Sequence, residues 1–147
     1  MKKIFLLLPL LLAFVSLTAF SRFNNDGDLR AEQLFKNEFA GASNVVWSKI
    51  GQFLMASFTW GDRQTVAYFN SDAELVGCLR ELFFNQLPLT VMRTVEKKFK
   101  DAIFLQTMEI TNDDGVSYKL VLEYKNNKHE IRLNSYGDIV SNKKLKK

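Results

Sequence analysis

The chain has 147 residues, with 47% apolar and 24% charged residues and a formal net charge of +4. That composition suits one domain, or two small units sharing a core, and excludes disordered, collagen-like and low-complexity classes. One cysteine and one histidine exclude a disulfide framework and a self-contained zinc site.

Residues 1–21 read as an export signal. Lys2 and Lys3 precede an uncharged apolar run from Ile4 to Leu17, and small residues follow at Ser16, Ala19 and Ser21. Cleavage after Ala19 and after Ser21 both fit. The apolar run is shorter than the roughly 20 residues of a spanning helix. Without Lys2 and Lys3 the chain keeps 18 basic residues against 16 acidic ones, a net +2.

A first unit is expected over residues 22–78. Asp28 is placed to cap a helix from Leu29 to Ala40, with Ala31, Leu34, Phe35 and Phe39 on one stripe and Gly41 at its end. Strand-like runs follow at Asn44–Ser48, Phe53–Trp60, Thr65–Asn70 and Leu75–Gly77. Residues 79–87 form a linker whose Leu82, Phe83, Phe84 and Leu87 suit packing. A second unit is expected over residues 88–142. Pro88 opens its helix, Val91, Met92, Val95 and Phe99 form the stripe, and strands fall at Ile103–Thr111, Ser117–Tyr124, His129–Asn134 and Ile139–Ser141. Residues 143–147 are a basic, solvated tail.

Shifted by 64 positions, the sequence matches itself without gaps. Asn70 falls on Asn134, Ser71 on Ser135, Gly51 on Gly115, Phe35 on Phe99 and Val76 on Val140. The expected fold is therefore α+β: a tandem repeat of a helix followed by antiparallel strands, with both helices on one face of the sheet.

The segments Tyr118–Tyr124 and His129–Val140, the latter ending in Tyr136-Gly-Asp-Ile-Val140, are similar to the closing strands of PepSY-like domains. With Val46-Trp47, Leu87-Pro88 and the two-unit layout, residues 28–141 resemble the beta-lactamase-inhibitor-like, PepSY-like exported proteins of Bacteroidetes. Ala73 departs from the pattern, standing where the second unit has the turn glycine Gly137. The resemblance implies an exported binding or inhibitory module that holds a peptidase or another enzyme in check. It supplies no catalytic residue.

The residues themselves offer little catalytic chemistry. His129 is the single histidine, and its counterpart in the first unit is Thr65. Asp113 and Asp114 sit in an Asn-Asp-Asp-Gly turn. Cys78 reads as a buried free thiol or as a bridge to a second chain.

The informative contrast lies between strand faces. The helix-covered face is expected to hold Val46, Leu54, Ala56, Phe58, Trp60, Ala67 and Phe69, matched by Ile110, Tyr118, Leu120, Leu122, Tyr124, Ile131 and Leu133. The opposite face of the first unit would then carry Val45, Trp47, Phe53, Met55, Val66 and Tyr68. In the second unit it would carry Glu109, Thr111, Ser117, Lys119, Glu130 and Arg132. An apolar, aromatic face on one unit alone points to contact with a partner. Alternatively, the linker or the other unit covers it. The reading that results is an exported, non-enzymatic binding module for an exported or membrane protein. It uses no cofactor or metal, has no nucleic-acid role, touches a membrane only through an uncleaved signal, and is a monomer or weak homodimer. The alternative is a carrier or sensor of a small apolar ligand held between sheet and helices.

Overall fold

A computed structural model describes residues 26–146; the signal segment lies outside the described residues. Helix α1 (Asp26–Glu38) precedes strands β1 (Ser43–Ile50), β2 (Phe53–Trp60), β3 (Arg63–Phe69) and β4 (Leu75–Glu81). A 3-10 turn (Phe84–Gln86) leads to helix α2 (Leu89–Lys98) and strands β5 (Ile103–Asn112), β6 (Gly115–Tyr124), β7 (Asn127–Asn134) and β8 (Ile139–Leu145). The eight strands form one sheet in sequence order, every neighbouring pair antiparallel.

Two strands run longer than expected. β4 continues to Glu81 and pairs with β5, so Leu79–Glu81 belong to the ladder that joins the halves. β8 continues through Lys143 and Lys144, which pair with Glu130 and His129, so these tail residues form the sheet's last edge. Helix α1 also begins earlier. Asp28 lies in its first turn, 7% exposed, with its carboxylate 2.9 Å from Lys49 Nζ. An acid there complements the partial positive charge of the helix N-terminus.

Paired residues across a sheet share a face. One row runs Trp47, Ala56, Ala67, Cys78, Thr111, and the next Arg80, Glu109, Tyr118, Leu133. Ala67 packs under α1 and Tyr118 under α2, so both helices cover the same face. The first core joins Ala31, Phe35 and Phe39 to Leu54, Ala56, Phe58, Ala67 and Phe69. The second joins Val91, Val95 and Phe99 to Tyr118, Leu120, Leu122, Ile131 and Leu133, with Leu82 and Leu87 from the linker.

The halves correspond closely, but not at one offset. Phe39 meets Trp60 edge-on at 5.4 Å, and Phe99 meets Tyr124 edge-on at 5.4 Å. The helices and first strands therefore correspond at 60 positions, and the later strands at 64. The longer β5–β6 hairpin takes up the difference. Phe35 corresponds to Val95, not to Phe99 as the single 64-residue shift implied.

The turns at Asn70 and Asn134 repeat bond for bond. Each Asn Oδ1 accepts two backbone N–H groups, from Asp72 and Glu74 and from Tyr136 and Asp138, and each amide donates to the following acid. Ala73 takes the left-handed conformation of Gly137, with φ +65° against +91°. At Gly137 the turn abuts the start of α2: a Cβ there would lie 2.7 Å from the Thr90 carbonyl oxygen. Gly137→Ala is expected to destabilise the protein by about 2 kcal/mol or more, because a left-handed Ala also clashes. Ala73→Gly should stay within about 1 kcal/mol of the parent, relief of strain offsetting a lost buried methyl. Urea unfolding of both variants checks this.

Candidate binding face

The loop between β1 and β2 sets which side chains reach the bare face. It has two residues, Gly51 with φ +59° and Gln52, and it places Ile50 opposite Phe53. Alternation then sends Val46, Ser48 and Ile50 to the bare face with Phe53 and Met55, and sends Trp47 and Lys49 to the helix side.

The expected site is corrected accordingly. Trp47 packs edge-on against Phe35 at 5.2 Å and lies 5.7 Å from Phe69, so it belongs to the first core. Val45 lines a crevice between α1 and β1 beside Trp47. The same one-residue shift holds in β5. Glu109 and Thr111 face the helices, and Ile110, expected among the core residues, pairs with Leu79 on the bare side. Both first strands moved together, so the halves keep a common pleat phase. The other four predicted residues, Phe53, Met55, Val66 and Tyr68, share the bare face.

That face carries an apolar field across the first five strands. Tyr68 pairs with Met55, and Val66 stands in a row with Val46, Ser57, Leu79 and Ile110. Val46 is 63% exposed and Ile50 53%, whereas Phe53, Met55, Val66, Tyr68, Leu79 and Ile110 are half-buried against one another. The Ser48 hydroxyl is shielded among them with no hydrogen-bond partner. Beyond Ile110 the face turns charged: Glu130 lies 4.0 Å from Lys119 Nζ and 3.6 Å from Arg132 Nε. The linker does not cover the field. Leu82 and Leu87 enter the second core, and Phe84 stacks on Phe104 at 4.1 Å on the helix side.

Val46, Ile50, Leu79 and Ile110 were missed as members of the face. Counting back from the two-residue loop would have found the first two. Leu79 and Ile110 become legible only once β4 is known to pair with β5.

On the helix side, Arg80 bridges to Glu109 at 2.9 Å across the joint between halves. Burial pushes up the Tyr118 hydroxyl, and the Glu109 carboxylate it bonds pushes it further. Burial also pushes the Cys78 thiol above its ordinary 9.0; Arg80 partly offsets this and Glu109 adds to it. A thiol so placed stays protonated at neutral pH and is a poor nucleophile. His129 stands three strands away and is also offset by six residues along β6, from Val116 to Leu122, on the order of 20 Å or more from Cys78, with its Nδ1 3.0 Å from Asn142 Oδ1. No Cys–His couple forms. Asp114 N–H donates to Asn112 Oδ1 in an exposed turn. The layer between helices and sheet is filled by side chains such as Phe58, Phe69, Leu120 and Ile131. Grooves of about 220 to 410 Å³ lie around its margins.

Among the described residues, these features define an α+β fold of two helices over one face of an eight-stranded antiparallel sheet. The same fold is found in a BLIP-like protein from Bacteroides fragilis (TM-score 0.71, 16% identity, 80% of this chain and 85% of that one). A candidate periplasmic protein from Bacteroides eggerthii shares it (0.73, 16%, 83% and 89%). So does a DUF2874 family protein from Bacteroides uniformis (0.71, 15%, 78% and 87%). No protein-family model matches the sequence, and no curated protein does.

Trp47→Ala should cost about 3 kcal/mol in urea unfolding, as a large aromatic lost from a core does. Tyr68→Ala, on the bare face, should cost only about 1 kcal/mol. Alkylation of Cys78 in the folded protein at pH 8 should run at least about tenfold slower than in urea. Rates that match would show an accessible, ordinary thiol.

Proposed function

We propose that the protein is an exported, non-enzymatic binding module that docks a partner protein through the bare face of β1–β5. We read its two halves as copies of one helix-plus-four-strand unit in which the first copy's outer face has become the docking surface. The observation that carries this is the apolar field of Val46, Ile50, Phe53, Met55, Val66, Tyr68, Leu79 and Ile110, left uncovered by the chain's own helices and linker. Patches of this kind on a folded chain are contact surfaces, and Tyr, Met and Phe are the types that anchor interface centres. The names of the B. fragilis and B. eggerthii neighbours support an inhibitor-type role and an exported address. The partner we expect is an exported or membrane protein.

A photoreactive phenylalanine analogue at Tyr68, in cells that export the chain, should give one discrete adduct. The same analogue at Tyr136, 80% exposed in the β7–β8 turn, should not. Met55→Glu with Leu79→Lys should weaken the captured partner by about thirtyfold, the scale of about 2 kcal/mol at an interface centre. Equal labelling at both positions, or none at Tyr68, would overturn the proposal.

A further inference from the structure

A cleft on the helix side lies between the β2–β3 hairpin and the segment before α2, at the joint of the two halves. It measures about 410 Å³, a size that small-molecule sites have, and is lined by Trp60, Asp62, Arg63, Arg80, Leu82 and Gln86.

Two guanidinium groups meet there. Thr65 pairs with Arg80, so Arg63 and Arg80 are diagonal neighbours on one face, with Cβ atoms about 7 Å apart. The Arg63 guanidinium stands over the Phe83 ring, 3.5 Å from its centre. A contact so short stacks the planar group on the ring and leaves its in-plane N–H donors unspent. Among the described residues no carboxylate pairs with Arg63, the neighbouring Asp62 included. Arg80 gives one N–H to Glu109 at 2.9 Å and keeps others. Like charges held this close cost free energy that a bound anion removes.

The walls are fixed in place. The Trp60 Nε1–H donates to the Ala40 carbonyl at 3.2 Å, and Phe39 meets the indole edge-on. The Leu82 N–H donates to the Thr107 carbonyl, and the Phe83 N–H donates to Gln86 Oε1 at 2.8 Å. The second half has a cleft of about 380 Å³ at the corresponding place, where Asn126, Asn127 and Lys146 stand 64 positions after Asp62, Arg63 and Leu82. The arginine and the apolar wall are therefore not demands of the fold.

We propose that this cleft binds a small aromatic carboxylate, its carboxyl group shared by Arg63 and Arg80 and its ring against Trp60 and Leu82. Guanidinium forks suit a carboxylate, and a fixed indole suits a flat ring. The site lies on the helix side and does not depend on what docks on the bare face.

Titration of the 15N-labelled chain with phenylacetate should shift the Trp60 indole N–H and Gly61 amide signals saturably, with a Kd of about 1 mM, while the Trp47 indole signal holds. Phenylethylamine, with the same ring and the opposite charge, should shift neither. Arg63→Gln should weaken phenylacetate at least about tenfold, and Arg63→Lys by less, because it keeps the charge without the fork. Met55→Glu with Leu79→Lys should bind phenylacetate as the parent does, which separates this site from the docking role. No saturable shift at about 20 mM, an equal response to phenylethylamine, or full affinity in Arg63→Gln would overturn the proposal. So would tighter binding of the tripeptide Gly-Gly-Phe, which would make a peptide terminus the occupant.

Discussion

The ladder between β4 and β5 is the joint on which the rest of the structure depends. Five residue pairs, from Gly77 with Asn112 to Glu81 with Met108, merge two four-stranded units into one sheet. A unit of about 60 residues alone buries too little surface to be secure. Joined, the halves lose two exposed edges and align both helices on one side. The joint also explains why charge is tolerated between the two cores. Arg80 and Glu109 come from its two strands, and each charge is compensated by the other at 2.9 Å, although Arg80 Nε is shielded without a hydrogen-bond partner.

The same joint divides what was legible in the sequence from what was not. Helix stripes at Ala31, Phe35 and Phe39 and at Val91, Val95 and Phe99 announce themselves by period, and the strand runs by alternation. Pleat phase from one strand to the next is a property of the loop between them. For β1 and β2 it depends on a two-residue turn with Gly51 in a left-handed conformation. Reading Val46 as core and Trp47 as surface amounts to a slip of one residue at that turn. It exchanges the two faces of the strand. Four of the six expected contact residues share the bare face because they lie on β2 and β3, whose phase the alternation of Leu54, Ala56 and Phe58 with Ala67 and Phe69 already determined.

Low identity between the halves has a visible physical basis in the cores. Phe35 on α1 stands over Ala56 and Ala67, whereas Val95 on α2 stands with Leu120 and Ile131. One half places bulk on the helix and the other on the sheet. Bulk exchanged between helix and sheet in this way is a compensating change that well-packed cores accept. The polar residues that do match, Asn70 with Asn134, have no such freedom. Their side chains satisfy backbone N–H groups in a turn, and only a short amide has the reach and both polarities.

The two sheet edges and the two ends of the bare face show the same asymmetry. β8 closes its edge with Lys143 and Lys144, charges of the kind that deter edge-to-edge pairing. β1 carries Val45, Val46, Trp47 and Ile50, and its one lysine, Lys49, is tied to Asp28. On the bare face, Lys119, Glu130 and Arg132 make the second half's share self-sufficient in water, while the first half's share is apolar out to its edge. Nothing in the packing requires this, because the helices lie on the other side. A chain that needed only to fold could carry the polar version on both halves, so the apolar version is retained at a cost in solubility. Under the docking role proposed above, an apolar partner on the face would offset that cost, and the charged half would limit how far the contact spreads.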